Sequence, residues 1–216
     1  MQPPLKIAVL ASGRGSNLAA LLKARDAGAL PVEFVLVGSD KADAPALRLA
    51  EAAGIPTLAL SPKGYADRVS YDLDLFARIQ ASGAELLVLA GFMRVISGAA
   101  LADWPGRVLN IHPSLLPKYR GLHTHRRALE AGDAEHGVSV HFVTAELDGG
   151  PLIAQARIPV HPGDSEDDLA ARLLVEEHKL LPAVVRAIAS GRLRWQDGPV
   201  FDGAPLTRPL DLANLL

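Results

Sequence analysis

Hydrophobic residues in the first half of the chain recur with two alternating periods, and that alternation sets the expected fold. Leu5 to Ala11 is a short apolar run ending at Ser12-Gly13, the pattern of a buried strand. Leu18 to Ala27 follows with helical spacing and stops at Gly28. Val32 to Val37 reads as a second strand, Ala44 to Ala53 as a helix closed by Gly54, and Ile55-Pro56 as the start of a short extended segment. Arg68 to Ala81 places Val69, Leu73, Phe76 and Ile79 at helical spacing. Leu86 to Ala90 is unbroken apolar sequence, as in strands buried on both faces. This alternation predicts an α/β chain with a single doubly wound, mostly parallel sheet joined by right-handed crossovers.

The second half is less regular. Arg107 to Ile111 reads as a strand and leads into the proline-punctuated loop Pro113 to Gly121. Val138 to Val143 alternates more like an exposed or antiparallel strand, and Leu152 to Val160 could pair with it across the acidic, glycine-rich turn Glu146 to Gly150. Ser165 stands as an N-cap with Asp168 at the capping-box position. A long helix then runs to about Ser190, kinked or interrupted by Pro182 and stopped at Gly191. Asp197-Gly198 and Asp202-Gly203 are hairpin signals in the tail, so the C-terminal part is expected to be antiparallel. No repeat or low-complexity linker interrupts the chain, which is expected to form one domain over residues 1–216.

Composition narrows the function. A net charge of -2 gives no footprint for nucleic acid or a membrane surface, and neither is expected as a partner. The absence of cysteine excludes disulfides, thiolate metal sites and a cysteine nucleophile. Met1 to Lys6 and the apolar run after it are too short for a signal-peptide core, so a cytoplasmic protein is expected.

Two regions carry candidate chemistry. Gly13-Arg14-Gly15-Ser16-Asn17-Leu18 joins the first strand to the first helix. Its glycines permit unusual backbone angles, and a helix N-terminus favours an anion. A plain strand–helix turn remains open here. A dinucleotide site fits less well, since Leu18 stands where a third glycine or alanine belongs and the candidates for the acidic ribose ligand, Asp40 and Asp43, come late. A phosphate monoester suits the short motif better.

The second region begins at Asn110-Ile111-His112, where the period of two points Asn110 and His112 the same way. Asp148 lies in the turn Leu147-Asp148-Gly149-Gly150. Histidine can shuttle protons near neutral pH, an asparagine amide can donate to an oxyanion, and a carboxylate can stabilise imidazolium. The set suits acyl transfer to an amine, although each histidine taken alone could be structural. Ser12 and Ser16 lack a nucleophile elbow, so direct attack by a substrate amine is expected. His112, His123, His125 and His136 show no metal-ligand spacing, and no metal is expected.

These segments, with Ala90-Gly91-Phe92-Met93-Arg94, Pro113-Ser114-Leu115-Leu116-Pro117-Lys118-Tyr119 and Glu146-Leu147-Asp148-Gly149-Gly150-Pro151, closely resemble the phosphoribosylglycinamide formyltransferase family, the folate-dependent transformylases of purine biosynthesis. The resemblance covers nearly the whole chain, in order, and leaves out only about the last fifteen residues. It implies a Rossmann-like formyltransferase fold, with residues 1–100 as the nucleotide- and phosphate-binding half, 101–190 as the catalytic and folate-binding half, and 191–216 as a C-terminal tail. It places the catalytic asparagine, histidine and aspartate on Asn110, His112 and Asp148. The substrate phosphate loop falls on Gly15, Ser16 and Asn17, and the ribose contact on Glu177. The folate side falls on Arg68, Met93, Arg94, Val95 and Ile96, with His141 and Thr144 on the same cleft wall. Arg14 receives no specific contact.

The implied reaction moves the formyl group of 10-formyltetrahydrofolate, a co-substrate, to the amine of glycinamide ribonucleotide. Asn110 and protonated His112 would stabilise the oxyanion, while Asp148 would hold His112 and favour its charged form. A monomer or homodimer is expected. Rival readings are a methionyl-tRNA formyltransferase or a formyl-folate hydrolase, whose additional domains find no room here, a non-catalytic binding module, and a nicotinamide oxidoreductase.

Overall fold

The computed structural model describes residues 3–215, and the chain divides into two compact units, one ending at Asn110 and one beginning at Ile111. The first unit alternates β1 (Leu5–Leu10), α1 (Ser16–Asp26), β2 (Val32–Ser39), α2 (Pro45–Ala52), β3 (Thr57–Ala59), α3 (Arg68–Ala81), β4 (Leu86–Leu89) and α4 (Gly98–Leu101), and enters β5 (Val108–His112). Its strands lie in the order β3-β2-β1-β4-β5, each pair parallel. From β1 the chain steps outward through β2 and β3, then returns to the other side of β1 for β4 and β5. Right-handed crossovers therefore put α1 and α2 on one face and α3 and α4 on the other. The loops after β1 and β4 diverge at that reversal, the place where open α/β sheets bind ligands.

The unbroken apolar runs become central strands. Ile7, Val9, Leu10, Leu87 and Val88 are fully buried, each contributing about 1.5–3 kcal/mol. The first helix begins at Ser16 rather than Leu18 because Gly15 caps it with φ 78. A Cβ on Gly15 would also lie 2.9 Å from that of Ala46, so glycine is required there twice over. Helix α3 spans the expected Arg68 to Ala81, with the Asp67 carboxylate accepting from the Ser70 amide at 2.7 Å.

The second unit contains α5 (Thr124–Glu130), β6 (Glu135–Phe142), β7 (Leu152–Pro159), α6 (Glu166–Ala189), β8 (Leu193–Trp195), β9 (Pro199–Phe201), β10 (Ala204–Pro205), β11 (Leu210–Asp211) and α7 (Leu212–Leu215). Strands β6 and β7 pair antiparallel as expected, whereas β11 adds to β7 in parallel. In the second unit the hydrogen-bonded order is β11-β7-β6, with β10-β9-β8 as a separate antiparallel group. The sheet is thus mostly parallel, with antiparallel pairing in the C-terminal part.

The capping box on α6 is present in both directions, between Ser165 and Asp168. Pro182 does not interrupt the helix, which runs continuously to Ala189. Leu180, Leu181, Ala183, Val184 and Val185 are all buried around it, and their packing outweighs the roughly 3 kcal/mol cost of an interior proline. Both tail turns form hairpins, with positive φ at Asp197, Asp202 and Gly203. Among the described residues no helix is long and apolar enough to cross a membrane.

Candidate active site

In the first unit the two loops at the β1/β4 reversal carry the phosphate and folate candidates. Gly15 and Asn17 are buried and Ser16 half-buried at the start of α1, where backbone amides lack helical partners. The opposing loop presents Met93 at 66% exposure and Val95 at 40%, while Ile96 is buried. The Arg94 guanidinium lies 4.8 Å from the centre of the Tyr71 ring. Arg68 is exposed at the head of α3.

Asn110 is half-buried and in register with Leu89 of β4. Two residues on, where β5 enters the second unit, His112 is only 6% exposed. Its Nε2 lies 2.9 Å from the Tyr119 carbonyl. Carbonyls only accept, so Nε2–H donates and the neutral ring leaves Nδ1 as its basic atom. That Nδ1 faces Asp148 Oδ2 at 3.5 Å. Tyr119 reaches this position with φ 55, a left-handed conformation that turns its carbonyl toward the ring.

Asp148 sits in the turn between β6 and β7, also left-handed with φ 46, and its side chain is 8% exposed. Oδ2 accepts the Gly121 amide at 2.8 Å. The turn is tight because a Cβ on Gly150 would overlap the Phe142 carbonyl oxygen, and one on Gly149 the Glu146 side chain. His141 belongs with this carboxylate more closely than its expected place on a folate-side wall indicated. Its Nδ1 lies 2.9 Å from the Phe142 carbonyl, and its Nε2 faces Asp148 Oδ1 at 3.7 Å. Each imidazole thus spends one N–H on a backbone carbonyl and turns its other nitrogen to the same carboxylate.

Burial raises the Asp148 pKa, but His141, the Gly121 amide and the His112 charge together hold it below the usual carboxylate value. For His112 the balance goes the other way. Burial lowers its pKa and outweighs the Tyr119 carbonyl and the Asp148 charge, both of which raise it. The Asp148 charge therefore pulls toward the charged form, yet the ring is more acidic than an ordinary histidine. Such a pair, a fixed carboxylate and an imidazole poised to gain a proton on Nδ1, can accept and return a proton during acyl transfer.

Thr144 is half-buried beside the same turn, and Glu177 is half-buried on α6. The Tyr119 carbonyl and the Gly121 amide were not identified from sequence. Gly121, with φ +78 after the proline-rich loop, was the only signal of the second. His125 and His136 form a separate pair, Nδ1 to Nε2 at 3.0 Å, with burial pushing His136 down to about 4. Among the described residues no group of three or more His, Asp or Glu could hold a metal ion.

The chain matches the formyl transferase family model over residues 5–185. It is 50% identical over 200 residues to the phosphoribosylglycinamide formyltransferase of Escherichia coli (strain K12), covering 90% of this chain and 94% of that protein. It is 46% identical over 195 residues to the trifunctional purine biosynthetic protein adenosine-3 of Drosophila pseudoobscura pseudoobscura, covering 89% of this chain and 14% of that much longer one. Its structure is similar to that of the phosphoribosylglycinamide formyltransferase of Coxiella burnetii, in complex with CHES. That match has a TM-score of 0.90 and 45% identity, and covers 94% of this chain and 96% of the other.

Proposed function

The chain belongs to the formyl transferase family, and from that premise we propose that it moves the formyl group of 10-formyltetrahydrofolate to the amine of glycinamide ribonucleotide by direct amine attack. Its activity is that of a phosphoribosylglycinamide formyltransferase, a one-carbon transferase of purine biosynthesis. The observation that carries the catalytic part is the carboxylate of Asp148 facing His112 Nδ1 at 3.5 Å while Nε2 is committed to Tyr119.

The substrate amine adds to the formyl carbon, forming a C–N bond and a tetrahedral oxyanion. The Asn110 amide and His112 stabilise that oxyanion, His112 taking up a proton on Nδ1 against the Asp148 charge. The new ammonium loses a proton, N10 of the folate gains one, and His112 gives back the proton it took up as the oxyanion collapses. The C–N10 bond then breaks as the carbonyl re-forms, giving formylglycinamide ribonucleotide and tetrahydrofolate. Nothing in this sequence asks for more than proton transfer and oxyanion stabilisation.

Gly15, Ser16 and Asn17 take the phosphate at the start of α1, and Glu177 the ribose. Arg68, Met93, Arg94, Val95 and Ile96 take the folate, with His141 and Thr144 beside Asp148. Residues 1–216 act as one domain, in the cytoplasm, as a monomer or homodimer. The test is incubation with 10-formyltetrahydrofolate with and without the ribonucleotide. Folate product that requires the ribonucleotide is the expected result. Product in its absence would mean hydrolysis, and none in either case a binding module, and either result defeats the assignment.

A further inference from the structure

Ser12 belongs to neither set of substrate residues, yet its side chain touches the loops that carry both. It is 3% exposed. Its backbone N–H donates to the Gly91 carbonyl at 3.0 Å. Its hydroxyl donates to Asp40 Oδ1 at 2.6 Å, and the same oxygen accepts the Met93 amide at 2.9 Å. A serine hydroxyl has one proton to give. With that proton committed to a carboxylate, the oxygen can only accept from Met93, and the charge-assisted bond to Asp40 fixes its direction.

We propose that Ser12 is a positioning residue shared by the two substrate loops, aligning the phosphate loop and the folate segment through one hydroxyl oriented by Asp40. This rests on reading Gly15 to Asn17 as the phosphate loop and Met93 to Ile96 as the folate segment. Three chain segments meet at the oxygen: the end of β2 through Asp40, the loop after β1 through Ser12 itself, and the loop after β4 through Met93. Around it the loop after β1 is also pinned by backbone bonds, Ala11 N to Gly38 O at 3.0 Å and Ala46 N to Gly13 O at 3.2 Å. Neither of those reaches the Met93 side. A direct main-chain tie on that side is Ser12 N to Gly91 O at 3.0 Å, which an alanine would keep. Ser12→Ala therefore removes the side-chain link and leaves the main-chain frame standing.

The test compares Ser12→Ala, Asp40→Ala and Asp40→Asn in the full chain, by steady-state kinetics in both substrates and by thermal melting. Ser12→Ala should raise KM for glycinamide ribonucleotide and for 10-formyltetrahydrofolate together, each about three- to tenfold, the loss of one ordinary hydrogen bond, with kcat falling less than either KM rises. Asp40→Asn retains an oxygen that accepts the hydroxyl and should stay within about twofold of wild type, while Asp40→Ala falls between. A role confined to stabilising the turn would lower the melting temperature and move neither KM. A shift in one KM alone, or unmoved values in both Ser12→Ala and Asp40→Ala, overturns the proposal. Should Ser12→Ala fail to fold, the two Asp40 variants decide it by the same criteria. A wild-type chain without ribonucleotide-dependent turnover would overturn the parent reading and this one together. Normal wild-type turnover with unmoved variants would overturn this one alone.

Discussion

Replacing Asp148 with asparagine removes one charge and little else, because the amide oxygen can still accept the Gly121 N–H that now reaches Oδ2 at 2.8 Å. The size of the effect follows from distance. Unit charges at the 3.5 Å between His112 Nδ1 and Asp148 Oδ2 attract by about 5 kcal/mol at an effective dielectric constant of about 20. At about 1.4 kcal/mol per decade this is roughly a thousandfold in the ease of protonating His112. If the oxyanion is stabilised by the imidazolium, Asp148→Asn should lower kcat near neutral pH by about 10³ while the melting transition stays close to wild type. Without the carboxylate, burial acts on His112 against the Tyr119 carbonyl and no longer against Asp148, so its pKa falls further and the remaining activity shifts to lower pH. The assay is ribonucleotide-dependent formation of tetrahydrofolate across pH, beside a melt of each protein. A folded variant that keeps kcat within tenfold of wild type would refute the coupling between these two side chains.

His112→Ala deletes the proton carrier itself and should cost about 10²–10³ or more in kcat; single-turnover rates check this, and near-normal turnover would sink the assignment. Gly150→Ala drives a Cβ into the Phe142 carbonyl oxygen, a backbone group that cannot swing aside, so the urea midpoint should fall by the equivalent of about 1–3 kcal/mol. Ser165→Ala breaks the α6 capping box and should cost about 0.5–2 kcal/mol with no change in KM for either substrate, read by melting and kinetics together. Stability should also decline in acid. His112 and His136 have pKa values lowered by burial, the latter to about 4, so below the ordinary histidine value of 6.5 the unfolded chain binds more protons than the fold. The stabilisation is therefore complete above about 6.5 and is lost as pH drops toward 4; urea midpoints that stay flat over that interval would contradict the burial of these rings.

The elements legible in the sequence were those whose stability comes from their own pattern. Leu86–Leu89 and Leu5–Leu10 announce themselves because a strand buried on both faces has no polar alternation to hide behind. Helix α3 matched to the residue, since its Asp67 cap and apolar spacing agree. What was not legible depends on tertiary support. Helix α5, Thr-His-Arg-Arg-Ala-Leu-Glu, has no side-chain cap and little apolar content, so only packing makes it a helix. Pro182 deceived for the same reason in reverse: the local cost of proline is visible in sequence, and the apolar surface that outweighs it is not.

The site divides along a similar line. Side-chain chemistry and strand period were enough to select Asn110 and His112 as a pair, and the glycines after Asp148 marked a turn close to backbone. Nothing local, however, could give the resting charge of His112. That charge is set by competition between desolvation, which needs the folded surroundings, and the Asp148 carboxylate, which stands far away in sequence and arrives only through the β6–β7 turn. In the folded chain desolvation prevails. An oxyanion forming within reach of Nδ1 would add a second negative charge to the Asp148 side of that balance and tip it toward imidazolium. The proton would then be held at the moment of the tetrahedral state and released after it. This predicts that an uncharged mimic of the formyl group leaves the His112 proton resonances close to those of the free protein, whereas a gem-diol or other tetrahedral, oxyanion-like mimic moves them to the protonated position at neutral pH. Identical spectra with the two mimics would show that His112 does not answer to the oxyanion.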